Sequence, residues 1–508
     1  MHPPSPPDAT TRRAALALTG TTLLAAATPA AAQPIATAQP TSRVPPRLEG
    51  RLATRIGAID LPLGFPSPIS ADLLHDTMDH QRAVQAYLWS LPLTGFGQWQ
   101  AEHARAFGAG DGALVLYDGF RDKLGLLTAN NTTPYIIGFA NLDRTGPLLL
   151  EFPPGGTAGG FIDFWQRPNG YVGPRGPDRG QGGLFTLFGP NHRARNVPVG
   201  EFAAIATTSN TFFGLRITTT DPAEAAAVQR AIRVYPAAQR GAPPAAPGFI
   251  RPAGREWSGT QPRGLAYWAL LAQLLNEEPV AERDRFFMAM LRRLGIEKGR
   301  PYAPDERQRA LLLDAAVLGE AMVRALDYDK RDAASQIWPD HGWHYALGFR
   351  PDQRAQHHDA LDERAAWFYE AVTASEDMAT RQPGPGQIYL GTAKDRQGAF
   401  LDGGKAYRLR VPGPVPARQF WSVTAYDNDT RCFLPVVQER PDRSSRDDLL
   451  READGGTLVH FGPIPPAGRE ANWVPTLPGR GWFAYFRLYY PEPAFFDGSW
   501  RLPDIEQA

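Results

Sequence analysis

The chain is poor in cysteine, in charge of one sign and in long apolar runs, and each shortage excludes something. Cys432 is the only cysteine in 508 residues, so no disulfide can close within the chain and no cysteine-based zinc site can be built. A lone thiol in a strand-like segment reads as a small buried apolar residue, with a nucleophile as the alternative. Basic and acidic residues balance at 53 each, which leaves no broad field to hold nucleic acid or an anionic membrane. Beyond the N-terminal region no apolar run approaches the ~18–20 residues of a membrane span. Fixed catalytic spellings are missing as well: there is no G-x-S-x-G elbow, no Walker loop and no H-E-x-x-H.

What is present begins with a processing signal. Thr11-Arg12-Arg13 precedes an alanine-rich run from Ala14 to Ala27, and Ala30-Ala31-Ala32 offers small residues for cleavage before Gln33. Twin arginines before a mildly hydrophobic run predict a Tat signal over residues 1–32, with a Sec signal as the alternative. The mature chain is therefore expected in the periplasm or secreted, with no transmembrane segment. Tat carries folded chains, which suits a cofactor inserted before export without requiring one. No motif identifies a cofactor or an oligomeric state.

Glycine (50) and proline (49) are spread among aromatic segments rather than massed in repeats, the punctuation of a β-rich chain with many turns. A Pro/Ala/Thr-rich flexible leader is expected over 33–69. A helix is predicted over Asp72–Leu91, followed by strands at Leu114–Tyr117, Thr133–Phe139, Pro147–Pro153, Gly160–Gln166, Leu184–Gly189 and Thr211–Thr220. These imply a β-sandwich domain with flanking helices over 70–235. Over 236–384 the apolar period becomes 3.6, as in DRFFMAMLRRLGI and RALLLDAAVLGEAMVRALDYD, which predicts a helical segment. From 385 the period returns to two in YRLRV, FWSVTAYD, TLVHFG and WFAYFRLYY, and FFDGSWRLP (Phe495–Pro503) reads as a further strand. The fold class is mainly β with a helical middle segment, closed by a second sandwich over 385–508.

Phe420-Trp421-Ser422-Val423-Thr424, Tyr426-Asp427, Asn472-Trp473-x-Pro475 and Arg487-Leu488-Tyr489-x-Pro491 match a known pattern in order and spacing. The chain resembles the bacterial two-part family that joins domain of unknown function 1254 to domain of unknown function 1214. The resemblance implies an immunoglobulin-like sandwich, a helical domain and a C-terminal jelly-roll-like sandwich; it implies no settled reaction. The family's Asn-x-Asp-Thr-x-Tyr element reads here Asn130-Asn131-Thr132-Thr133-Pro134-Tyr135, and a following aspartate is Asn141. Thr132 and Asn141 cannot take a proton near neutral pH, so any base or metal-ligand role of those aspartates is lost.

Three groups of side chains are candidates for function. Asn130, Thr133, Tyr135, Asp163, Trp165 and Arg216 lie on or beside neighbouring predicted strands and form a polar ring with aromatics. Such a ring suits a hydroxylated, carbohydrate-like ligand, with Asp163, Tyr135 and Arg216 as catalytic candidates and the others as binding residues. The alternative is that Asn130 and Thr133 organise a turn while Tyr135 and Trp165 fill core. Asp427 and Arg487 either pair, or hold a ligand's carboxylate through the guanidinium fork, or anchor the NWVP loop structurally. His341 and His344 are weak metal candidates, because Gly342 between them argues for a loop rather than one helix face. The function expected is an envelope or extracellular hydrolase or lyase with a small-molecule or glycan-like ligand. The alternative is a non-catalytic ligand-binding or envelope-interaction protein.

Overall fold

The computed structural model describes residues 47–192, 197–219, 221–245, 248–438 and 440–508. The expected export signal and the first part of the expected leader lie outside the described residues. The described chain forms two compact units, a short one ending at Ser70 and a large one, Ala71–Ala508. In the short unit β1 (Gly50–Thr54) and β2 (Gly57–Leu61) pair as an antiparallel hairpin. The leader is expected over 33–69; its described part includes this hairpin, where Leu52 pairs with Ile59 and Gly57 takes the positive φ that the turn requires.

Helix α1 (Pro68–Phe107) runs well past the predicted end at Leu91. Pro92 removes a backbone donor, which ordinarily stops a helix. Here Ala86–Gly97 is buried on every side, and a helix so enclosed is held by packing rather than by propensity. Side chains also occupy carbonyls around the proline: Ser90 Oγ donates to the Ala86 carbonyl at 2.7 Å, and Gln166 Nε2 to that of Pro92 at 2.8 Å.

The first sandwich contains β3 (Val115–Tyr117), β4 (Tyr135–Asn141), α2 (Leu142–Thr145), β5 (Leu148–Phe152), β6 (Thr157–Asp163) and β7 (Pro168–Val172). It continues through β8 (Gly183–Phe188), β9 (Phe202–Ile205), β10 (Asn210–Ile217), α3 (Pro222–Ala231) and β11 (Arg233–Pro236). Its sheets have the orders β3-β4-β10-β6-β7 and β11-β5-β8-β9. Strand side chains alternate between faces. Ile136, Phe161, Phe213 and Leu215 share one core with Leu148, Leu150, Phe185 and Leu187 of the second sheet. Ile137, Phe139, Ile162 and Phe212 point the other way and join a larger core built on α1. The five-stranded sheet is therefore covered on both faces.

Four longer helices occupy the middle: α4 (Leu265–Glu277), α5 (Arg285–Arg292), α6 (Glu306–Tyr328) and α7 (Leu361–Glu370). Asp305 and Gln308 close a capping box at the start of α6, as Pro304-Asp305 leads one to expect. The second sandwich contains β12 (His344–Tyr345), β13 (Gln387–Thr392), β14 (Tyr407–Val411), β15 (Ala417–Asp427) and β16 (Asp442–Ser444). It is completed by β17 (Thr457–Gly462), β18 (Trp473–Pro475), β19 (Trp482–Pro491), α8 (Pro493–Phe496) and β20 (Glu506–Gln507). Its sheets run β12-β13-β19-β15-β16 and β18-β17-β14-β20. The Phe495–Pro503 segment is a correction: it is the end of α8 and a loop, with Pro493 in the helix's first turn and Gly498 at positive φ. The architecture is thus mainly β, two sandwiches with a helical region between them in sequence. Cys432 is a buried free thiol in the large core, and burial pushes its pKa up to about 12. Among the described residues no helix is long and apolar enough to cross a membrane.

Candidate functional site

The five-stranded sheets of the two sandwiches enclose a cavity of about 940 Å³. Strand alternation decides what faces it. On β10 Phe212, Gly214 and Arg216 share one face; on β19 Tyr485, Arg487 and Tyr489 do; on β13 Gln387 and Tyr389 do, and all of these line the cavity. Registers bring the polar members together: Arg216 is paired with Tyr135 across β10 and β4, Tyr389 with Arg487 and Gln387 with Tyr489 across β13 and β19. On the first sandwich's side Gly159, Gly160 and Gly214 leave the wall bare of side chains. There a Cβ on Gly159 would strike the Gly214 carbonyl and one on Gly160 the Gly170 carbonyl.

A loop of the first sandwich is strapped to the second at the cavity's edge. Thr128 N–H donates to the Arg431 carbonyl at 2.7 Å, Tyr426 Oη to the Ala129 carbonyl at 2.5 Å, and Asn130 Nδ2 to Tyr489 Oη. The Asn130 N–H donates to Tyr135 Oη at 2.9 Å, and Thr132 folds back onto Asn130 Oδ1 through its own N–H at 2.7 Å. Behind Tyr135 lies Lys123, fully buried, whose Nζ donates to the Thr133 carbonyl at 3.0 Å and sits 5.3 Å from the tyrosine ring centre. Burial pulls its ammonium down to about 8.

The electrostatic character of the cavity comes from Arg216 and Arg487. Arg487 is 2 % exposed and donates to Thr424 Oγ1 at 3.1 Å, the Thr128 carbonyl at 2.9 Å and Tyr426 Oη at 2.8 Å. Its Nε has no partner among the described residues. The half-buried Arg216 guanidinium lies 5.2 Å from the Tyr135 ring centre. Among the described residues no carboxylate forms an ion pair with either arginine. Burial works against both charges, but the oxygens of Tyr135, Tyr389 and Tyr489 around Arg216, and of Tyr426, Tyr489 and Tyr389 around Arg487, outweigh it and raise both pKa values. The wall's single carboxyl, Asp377, is already ion-paired with Arg175.

The structure brings together Asn130, Tyr135, Arg216 and Arg487 and leaves the other expected site residues elsewhere. Asp163, expected beside Tyr135 and Arg216, is at the far end of the sheet: it pairs with Thr211, whereas Arg216 pairs with Ala158. Its buried carboxylate accepts from Arg167 Nε and the Arg167 N–H, each at 2.9 Å, and from Thr207. Trp165 is core, its ring 4.6 Å from that of Trp89. Thr133 contributes its carbonyl to Lys123 and does not line the cavity. Asp427 does not meet Arg487, because its register partner on β19 is Trp482 and that of Arg487 on β15 is Ser422. It caps its own turn, accepting from the Asp429 and Thr430 N–H groups at 2.9 and 2.8 Å, and pairs with Arg480 at 2.7 Å. The NWVP loop is anchored by Asn472, which bonds the Leu450 and Leu458 carbonyls. Asn141 caps α2 through the Asp143 and Arg144 N–H groups, a duty that aspartate performs equally well.

His341 and His344 lie on a turn and on β12, beside a second, smaller cavity of about 360 Å³. Burial pulls His344 down to about 4, so it is neutral at pH 7. Among the described residues no group of His, Cys, Asp and Glu is placed to hold a metal ion. The residues that sequence reasoning missed are Gln387, Tyr389, Tyr485 and Tyr489. The period-two run Tyr485-x-Arg487-x-Tyr489 carried the signal: if Arg487 faces a site, both tyrosines share its face.

Residues 119–236 match the family described as Protein of unknown function (DUF1254), and residues 386–493 that described as Protein of unknown function (DUF1214). No curated protein matches the chain. Among solved structures the chain is similar to the VPA0106 protein from Vibrio parahaemolyticus, at 17% identity and a TM-score of 0.53, covering 85% of this chain and 100% of that one. An uncharacterized protein from Burkholderia cenocepacia aligns at 11% identity and a TM-score of 0.36, over 87% of this chain and 89% of that one. The first likeness is one of fold alone. The two matched regions contribute the facing walls of the large cavity, and the chain joins a DUF1254 region, N-terminal, to a DUF1214 region, C-terminal.

Proposed function

We propose that the protein binds an organic anion with an aromatic or apolar body in the cavity between the sandwiches. The observation that carries this is the pair of charged guanidiniums, Arg487 buried and Arg216 half-buried, without ion-paired carboxylates among the described residues in a tyrosine-lined wall. A buried cation ordinarily finds an anion, and a ligand carboxylate on the Arg216 fork gains charge-assisted hydrogen bonds, with the Arg487 guanidinium, already bonded to Thr424, Thr128 and Tyr426, adding positive charge beside it. The volume falls within the ~300–1,000 Å³ of small-molecule sites. Tyr135, Tyr389 and Tyr489 supply flat apolar faces with polar rims. The wall does not suit two-carboxylate glycoside hydrolysis, since its one carboxyl is already paired; anion binding is the reading that its arginines and tyrosines support. Tyr135 and Arg216 thus become ligand contacts, with Asn130 holding the loop. The twin-arginine segment supports an envelope or extracellular setting for this binding.

Titration calorimetry with 3-phenylpropanoate and octanoate, each against its neutral amide, tests the proposal. The acids bind and the amides do not; Arg216→Met weakens the acids at least about tenfold, as loss of a charged hydrogen bond of roughly 1.5–3 kcal/mol implies. Equal binding of acid and amide overturns the proposal. Asp163→Ala leaves the affinity unchanged if the variant folds.

A further inference from the structure

The large cavity is graded along its length, and the grading follows from strand register. Residues directly opposite one another on antiparallel strands face the same side, so the first wall shows rows across β4, β10 and β6. The outer row is Tyr135, Arg216 and Ala158, all half-buried. The next is Ile137, Gly214 and Gly160, and the innermost is Phe139, Phe212 and Ile162, all three buried. The missing side chain at Gly214 makes room for the Phe212 ring, which a Cβ there would approach to 2.4 Å. Apolar surface therefore begins one row from the Arg216 guanidinium and continues for about 13 Å, four residues at ~3.3 Å each. The second wall changes in the same direction. Arg216 and Arg487 share the oxygens of Tyr135, Tyr389 and Tyr489, which puts both charges at the Tyr135 end. Further along β19 the Tyr485 hydroxyl is taken by Glu370, which leaves the ring as its share of the wall. Gln166, in the turn after β6, accepts the Thr373 N–H at 2.7 Å, and Trp367 Nε1 donates to the Thr373 carbonyl at 2.9 Å. Those bonds set Val372 and the Trp367 ring at the Ile162 end of the cavity.

We infer, resting on the anion site proposed above, that its ligand is a medium- to long-chain fatty acid. The carboxylate lies at Arg216 and the chain runs past Phe212 to Ile162 and Val372. Each methylene laid along this surface leaves water and adds to the affinity. A sugar acid or a dicarboxylate would instead press hydroxyls or a second charge against the apolar end, where their desolvation is not repaid.

Calorimetric titration of the full chain with butanoate, octanoate, decanoate and decanedioate tests this. Affinity rises about threefold to fourfold per methylene, roughly a hundredfold from butanoate to octanoate. Decanedioate binds at least about tenfold more weakly than decanoate. Val372→Lys supplies a cation at the apolar end and reverses that preference. Should this variant fail to fold by circular dichroism, Met378→Lys is read in its place, since the Met378 sulfur lies 4.0 Å from Thr373 Oγ1 at the same end. One affinity from butanoate to decanoate, decanedioate binding as tightly as decanoate, or an unaltered preference in the folded lysine variant overturns this inference and leaves the anion site standing. Binding of none of these acids overturns both.

Discussion

Arg487 shows how one side chain can serve structure and recognition together. From the second sandwich it donates to the carbonyl of Thr128 in the first, and to Thr424 and Tyr426 beside it. Replacing it with methionine keeps much of the volume and strands the Thr128 carbonyl. Each stranded buried group costs about 1–3 kcal/mol, so Arg487→Met should lose that amount or more in urea unfolding; an unchanged midpoint would show that water reaches these groups. Arg216, which has tyrosine rather than carbonyl neighbours, should lose less stability and more affinity. At this scale the sequence was partly readable. Charged residues in aromatic strands announce themselves, as Arg487, Asp427 and Asp163 did. Their partners do not, because Arg480 and Arg167 reach Asp427 and Asp163 through turns whose path composition does not specify.

Among elements, α1 and β6 make the sharpest demands. His103 on α1 is buried, with Nδ1 2.7 Å from the Trp99 carbonyl and Nε2 2.9 Å from Tyr117 Oη. The neutral ring donates at one end and accepts at the other, and burial holds its pKa down to about 4 from the ordinary 6.5. The folded chain therefore binds fewer protons here than the unfolded chain between those values. Stability from this site is complete above pH 6.5 and is lost as pH falls toward 4, by about 3 kcal/mol in all. Comparing urea midpoints of wild type and His103→Gln across that range isolates the effect; parallel curves would contradict it. On β6, Gly159→Ala puts a methyl into the Gly214 backbone of the adjacent strand, where no rotamer can relieve it. A melting-temperature drop corresponding to about 1–3 kcal/mol is expected. Helix periods and strand alternation were legible in sequence. The continuation of α1 past Pro92 was not, because burial overrides a local rule only once the neighbours are known.

For the whole molecule the large cavity matters most, because β4, β6 and β10 form one wall and β13 and β19 the other. A ligand held by both arginines binds only the assembled pair of sandwiches. At roughly 100 times its Kd such a ligand raises unfolding stability by about 2.7 kcal/mol. Calorimetric melting with 3-phenylpropanoate checks this, and a melting temperature unmoved at saturation would mean the two walls come apart without releasing the ligand. The existence of two sandwiches and a helical region was readable from periods and from the family pattern. Which sheet faces met was not: β10 lies between β4 and β6, and β19 between β13 and β15, and such non-local pairings leave no trace in a local window.

The solitary thiol offers a way to watch all of this without adding a probe. Cys432 is enclosed and its pKa is pushed up to about 12, so a disulfide reagent such as dithionitrobenzoate reacts only during excursions that open the core. With one thiol per chain, each equivalent of released chromophore counts one chain whose core has opened and reacted. Slower colour development with ligand present would register, in real time and in the unaltered protein, how firmly a guest keeps the molecule shut.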